Sequence, residues 1–146
     1  MKKQMLRIAT SLSLFAVFCV CAHAQSVKSG LRAHVPFDFR IEGKTMPAGD
    51  YTVTFVNRES NLQTILVKSA DGHKACFVRA TPVEARAVAE SGKLVFNRYG
   101  GDYFLSQVWT PAERAGLQLR KSRSERSIEL AGAKVETATV RLGAGK

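Results

Sequence analysis

Residues 35–41 alternate strictly. Val35, Phe37, Phe39 and Ile41 share one parity and Pro36, Asp38 and Arg40 the other, which is the pattern of a half-buried strand. Pro36 has no amide to donate, so this strand is expected at a sheet edge or with its pairing starting late. In residues 42–50, Gly43, Pro47 and Gly49 interrupt any regular element. Tyr51, Val53 and Phe55 then alternate with Thr52 and Thr54 to give a second strand. Residues 62–81 read as a hairpin turning at Asp71-Gly72, a pair suited to a two-residue loop because Gly accepts positive φ. That loop sets Val67 opposite Cys76 and Ile65 opposite Val78 on one apolar face. Leu66 and Phe77 lie on the other face, so the hairpin is expected inside the sheet with both sides partly covered.

A second hairpin spans residues 93–110, with Gly100-Gly101-Asp102 at its turn. Either Gly100-Gly101 or Gly101-Asp102 can form the loop, and the two choices differ in register. The intervening residues 82–92, rich in Ala and Glu, read as a loop or a short helix. Beyond Pro111 the pattern changes. Ser122-Arg123-Ser124-Glu125 fits a capping box, Ile128 and Leu130 follow, and Gly132 is a stop, which predicts one short helix over residues 123–131. Residues 135–142 read as a last strand, with a loose tail after it. The expected fold is mainly β: a single antiparallel sandwich or partly closed barrel with one short C-terminal helix.

The first 24 residues stand apart from this pattern. Lys2, Lys3 and Arg7 precede an apolar run of 14 residues, 8–21, and then Ala22-His23-Ala24. A cationic start, a short apolar centre and small residues before a cut describe a secretory signal peptide, cleaved to leave a mature chain of residues 25–146. A membrane-spanning helix needs about 20 apolar residues, and this run is shorter. A lipid anchor at Cys19 or Cys21 needs a small residue before it, where Phe18 and Val20 are bulky. The expected location is therefore the periplasm or the extracellular space.

Removal of the signal alters the composition that bears on function. Three of 22 Lys and Arg leave with it, so 19 face 12 Asp and Glu, and the mature charge is about +7. Two of three cysteines leave as well, so Cys76 stands alone and an internal disulfide is excluded. One domain accounts for the length. A membrane-spanning β-barrel is disfavoured, because its strands run to about ten residues and these are shorter.

Candidate chemistry is sparse. His73 and Cys76 stand three apart near Asp71, but a structural zinc site takes about four ligands and the mature chain adds only His34 to its His and Cys. Cys76 shares parity with core residues while His34 shares it with outward ones, which opposes a Cys–His nucleophile. Gly-x-Ser-x-Gly, His-Glu-x-x-His and phosphate-binding glycine loops are all missing. No catalytic residue, metal ligand or cofactor is expected. The binding candidates are the basic cluster Arg120, Lys121, Arg123 and Arg126, with Arg123 and Arg126 on one helix face, and the aromatics Tyr99, Tyr103 and Trp109, which form a contact platform if they face outward.

Five segments together carry a resemblance: Val35-Pro36-Phe37-Asp38-Phe39; Met46-Pro47-Ala48-Gly49-Asp50-Tyr51-Thr52-Val53; Arg98-Tyr99-Gly100 with Tyr103-Phe104-Leu105; Val108-Trp109-Thr110; and Lys121-Ser122-Arg123 with Glu125-Arg126. In these the chain resembles small exported β-domain proteins of unknown function from environmental bacteria of the acidobacterial type. The resemblance implies export and a compact β domain, and it transfers no functional residue. The expected function is a non-catalytic binding or envelope-associated module whose partner is an anionic envelope component or another exported protein rather than nucleic acid. A β-barrel carrier of a small apolar ligand is the alternative, and an exported enzyme the third.

Overall fold

The structure is a computed structural model that describes residues 30–57, 62–85 and 90–144. The expected signal peptide, residues 86–89 of the 82–92 segment and the last two residues of the tail lie outside the described residues. Among those described, the chain forms β1 (Leu31–Val35), β2 (Phe39–Ile41), β3 (Lys44–Met46), β4 (Gly49–Asn57), β5 (Gln63–Ser69), β6 (Ala75–Glu84), β7 (Lys93–Tyr99), β8 (Asp102–Trp109), β9 (Ala115–Leu119), α1 (Arg123–Leu130), β10 (Glu136–Arg141) and β11 (Gly143–Ala144). The described residues are mainly β with one short helix, as expected. No helix among the described residues is long and apolar enough to cross a membrane.

The strands make one sheet in the order β10-β7-β8-β9-β6-β5-β4-β1-β11. Every neighbour along that path is antiparallel. Its two ends are β10 and β11, which are separated in the chain only by Leu142. The C-terminal segment therefore lies at both edges of the sheet, which is not closed, and the architecture is a β-sandwich or partly open barrel. Hairpin β2–β3 lies off the path and meets β8 in parallel, with Arg40 beside Phe104.

The alternation of residues 35–41 holds in burial but not in pairing. Val35, Phe39 and Ile41 are buried, yet the predicted single strand is two, because residues 36–38 leave the ladder. Pro36 supplies no donor and has a fixed φ. Beyond it, β1 stays beside β4 while β2 turns away towards β8. Residues 42–50 also depart from expectation by holding β3. Glu42 and Gly43 both have positive φ, at 48° and 86°, the requirement of the type I′ turn that joins β2 to β3 with Ile41 opposite Lys44.

In the β5–β6 hairpin, Ile65 faces Val78 and Val67 faces Cys76, the expected register. The loop has four residues rather than two, because Ser69 Oγ accepts from the Lys74 amide at 2.9 Å while the Ser69 amide donates to Lys74 O. A four-residue loop centred on the same pair leaves the register intact. The hairpin does lie between β4 and β9, but its outer face is open, with Phe77 63% exposed. In the second hairpin Tyr99 pairs with Asp102, so Gly100-Gly101 is the loop. A bulge follows: Val95 faces Gln107 but Phe96 faces Leu105, leaving Ser106 as the extra residue. The bulge lets Leu105 and Val108, of opposite parity, both reach the core.

Side chains fill the interior. Phe39, Tyr51 and Phe96 are almost completely buried, and Phe39 meets the other two edge-on at ring-centroid distances of 5.1 and 5.3 Å. Ile41, Met46, Val53, Ile65, Val67, Cys76 and Val78 pack around them.

Candidate functional site

Helix α1 is set in place by its two acids. The Ser122 hydroxyl accepts from the Glu125 amide at 3.2 Å, so the N-cap forms as the sequence predicts. The reciprocal half of the capping box does not form. The Glu125 carboxylate turns inward instead, is 3% exposed, and accepts from Asn97 Nδ2 of β7 at 2.8 Å. Glu129 takes the Lys121 ammonium at 2.6 Å. With Glu125 anchored against the sheet, Arg123 and Arg126, three apart and about one turn from each other, are left exposed on the outer side.

Opposite them stands the β2–β3 turn. Between the turn and the start of α1 lies a cleft of 690 Å³ walled by Arg40, Glu42, Arg120, Lys121, Arg123 and Arg126. All four basic residues expected from sequence meet here. Arg40 joins them from the far end of the chain, and only its outward parity on the 35–41 segment was legible in advance. Arg40 pairs with Asp102 at 3.2 Å and sits 5.7 Å from the Phe104 ring centre, while Lys121 is held by Glu129. Among the described residues Arg120, Arg123 and Arg126 make no ion pair. Among the described residues, three guanidiniums without carboxylate partners thus stand beside a helix N-terminus, itself the positive end of the helix dipole, and concentrate positive charge at the cleft. Glu42 opposes it in part.

The aromatic platform does not form. Tyr99 and Trp109 are buried at 4% and 9% exposure. Trp109 lies against the sheet with its Nε1 donating to Gln107 Oε1 at 2.9 Å. Only Tyr103 keeps a partly exposed ring, and that ring is stacked on Phe37 at 3.9 Å with the Arg98 guanidinium 5.5 Å from its centre. Packing takes up two of these rings: Tyr99 meets Phe104 edge-on at a ring-centroid distance of 5.9 Å, and the Trp109 indole lies over Gly116 of β9.

The nucleophile and metal candidates stay apart. Cys76 is buried, and burial pushes its thiol up from the ordinary value. His73 is exposed in the β5–β6 loop, and exposed His34 contacts Asp50 at 2.8 Å. Asp71 makes the loop, accepting from the His73 amide at 3.0 Å and from the Ser69 hydroxyl, which holds its carboxyl below the ordinary range. Among the described residues no group of three or more His, Cys, Asp or Glu comes together to hold a metal.

Behind α1, Tyr99 Oη is buried and has no hydrogen-bond partner among the described residues. Burial, and then the charge of Glu125, push its phenol up. Burial does the same at Tyr51, which donates to Pro47 O. The folded protein thus keeps these protons to higher pH than the unfolded chain, whose phenols titrate near about 10. This contribution is fully present below that pH and is lost as pH rises above it. Thermal unfolding between pH 8 and pH 11 is expected to show a steep fall at the alkaline end. Tyr99→Phe removes the orphan hydroxyl and should flatten part of that fall, with stability at pH 7 held or raised by about 1 kcal/mol. An alkaline slope identical in the two proteins would contradict this account.

Comparison of the chain with protein-family models, with curated proteins and with solved structures finds no match.

Proposed function

We propose that this chain is an exported, non-catalytic binding module that holds an anionic envelope component or an acidic patch of another exported protein in the cleft between the β2–β3 turn and the start of α1. The observation that carries the reading is the convergence of Arg120, Arg123 and Arg126, without ion pairs among the described residues, on one 690 Å³ cleft. Export rests on the pattern of residues 1–24. A mature charge of about +7 attracts anionic partners over roughly a Debye length, about 10 Å at 0.1 M salt. The carrier reading has less support. An eight-stranded barrel holds a ligand when its interior is left open, and here Phe39, Tyr51 and Phe96 occupy it.

Retention of the purified protein on isolated envelope material tests the proposal. It is expected to be strong at low salt and lost at high salt. Arg123→Ala with Arg126→Ala should weaken binding by about tenfold at low salt, as for two partly screened contacts of under about 1 kcal/mol each. Lys68→Ala with Lys134→Ala removes equal charge from exposed positions away from the cleft and should have a much smaller effect. Equal loss in the two double variants would overturn the assignment of the cleft.

A further inference from the structure

The outer face of the sheet carries a groove beside the cleft. Alternation along β5 and β6 sends Ile65, Val67, Cys76 and Val78 inward and leaves Phe77 and Arg79 outward. Phe77, directly across from Leu66, is 63% exposed, and Leu62 is 47% exposed. With Leu119 of β9 and Arg79 they line a groove of 950 Å³. Arg120 and Glu42 line both this groove and the basic cleft, so the two spaces adjoin at those side chains. An exposed phenylalanine alone is ordinary surface. Here it stands in a concavity that adjoins, at Arg120, the cleft holding Arg123 and Arg126, which make no ion pair among the described residues.

We propose that groove and cleft form one site for an anionic amphiphile: a single alkyl chain lies along Phe77 and Leu62, and its phosphate or carboxylate head is held by Arg120 with Arg123 and Arg126. This rests on the anion-binding reading of the cleft and adds the ligand class. The chain covers apolar surface that is otherwise wet. The guanidinium forks match the paired oxygens of the head, with Arg79 adding positive charge alongside. A bare anion would leave Phe77 uncovered, and an uncharged alkane would gain nothing from the arginines. The Glu42 carboxylate at the junction repels the head and limits affinity.

Titration calorimetry of the purified protein with decyl phosphate below its micellar concentration, and with inorganic phosphate, tests the proposal. Decyl phosphate should bind about tenfold or more tightly than phosphate, a factor equivalent to covering about two methylenes. Phe77→Thr, which keeps a β-branched residue on the strand, should bring the two ligands within about twofold and leave phosphate affinity unchanged. Glu42→Gln should tighten both by about twofold to threefold. Equal binding of the two ligands, unmoved by Phe77→Thr, would overturn the amphiphile and leave the anion cleft standing. No binding of either would overturn both. Binding to vesicles of anionic phospholipid without binding to decyl phosphate would identify a membrane surface and overturn the single-molecule site.

Discussion

Replacing Phe96 by alanine is expected to destabilise the protein by about 3–5 kcal/mol, the range for truncating a buried aromatic. Phe96 is completely buried on β7, and its ring meets Phe37 and Phe39 edge-on at centroid distances of 5.2 and 5.3 Å. The alanine variant loses both aromatic contacts and leaves a hole where β2 packs over the sheet. Domains of this size are stable by only about 5–15 kcal/mol, so the loss is a large fraction of the total. Urea unfolding monitored by circular dichroism measures it. Phe77→Ala provides the contrast: that ring is 63% exposed, and its removal should change stability by no more than about 0.5 kcal/mol. Similar midpoints for Phe96→Ala and the parent would show that the core is not centred on this ring. With the stability of the Phe77 variants held in this way, a loss of amphiphile binding in them reports on the groove and not on the scaffold.

Gly116→Ala should destabilise by about 1–3 kcal/mol through overpacking. Gly116 lies directly across from Trp109, whose indole lies over the glycine. A Cβ there would stand 2.6 and 2.7 Å from two of its ring carbons. The indole has little room to withdraw. It is 9% exposed and its Nε1 is bonded to Gln107, whose Nε2 in turn donates to Gln118 Oε1 at 2.7 Å. Trp109 is the chain's one tryptophan, so its fluorescence reads the seat directly. The variant should show red-shifted emission together with a lower unfolding midpoint. Gly101→Ala, where a Cβ meets nothing within 4 Å, should leave both unchanged. Unaltered emission and midpoint in Gly116→Ala would remove the indole from this position.

The basic part of the site was legible because its four residues lie close together in the chain. Ser122 caps the helix, and the three-residue spacing then puts Arg123 and Arg126 on one side of it. The direction of that side was not legible. It depends on Glu125 abandoning the capping box for Asn97, a residue of another element. Arg40 and Glu42 enter the cleft only because Pro36 breaks the first strand and frees β2–β3 to fold over towards α1. The aromatics show the opposite case. The Ser106 bulge puts Tyr103 and Trp109 on opposite faces of β8, and Tyr99 and Trp109 are buried by their neighbours Phe104 and Gly116.

Side-chain parity, turn position and helix capping follow from the sequence by itself, because each depends on residues within a few positions of one another. Residues 35–41 keep their inward and outward faces even where the ladder breaks. Ile65 and Val67 meet Val78 and Cys76 because a loop centred on Asp71-Gly72 admits that register at either two or four residues. Ser122 starts the helix where it is expected. Only the tertiary structure decides which strands become neighbours. The placement of residues 136–144 at both sheet edges, the crossing of β2 to β8 and the bulge at Ser106 all satisfy backbone groups between segments far apart in the chain. Such pairings are fixed by the packing of the sheet around one core, and local pattern carries no record of them. The charged cleft and the apolar groove beside it are products of those pairings.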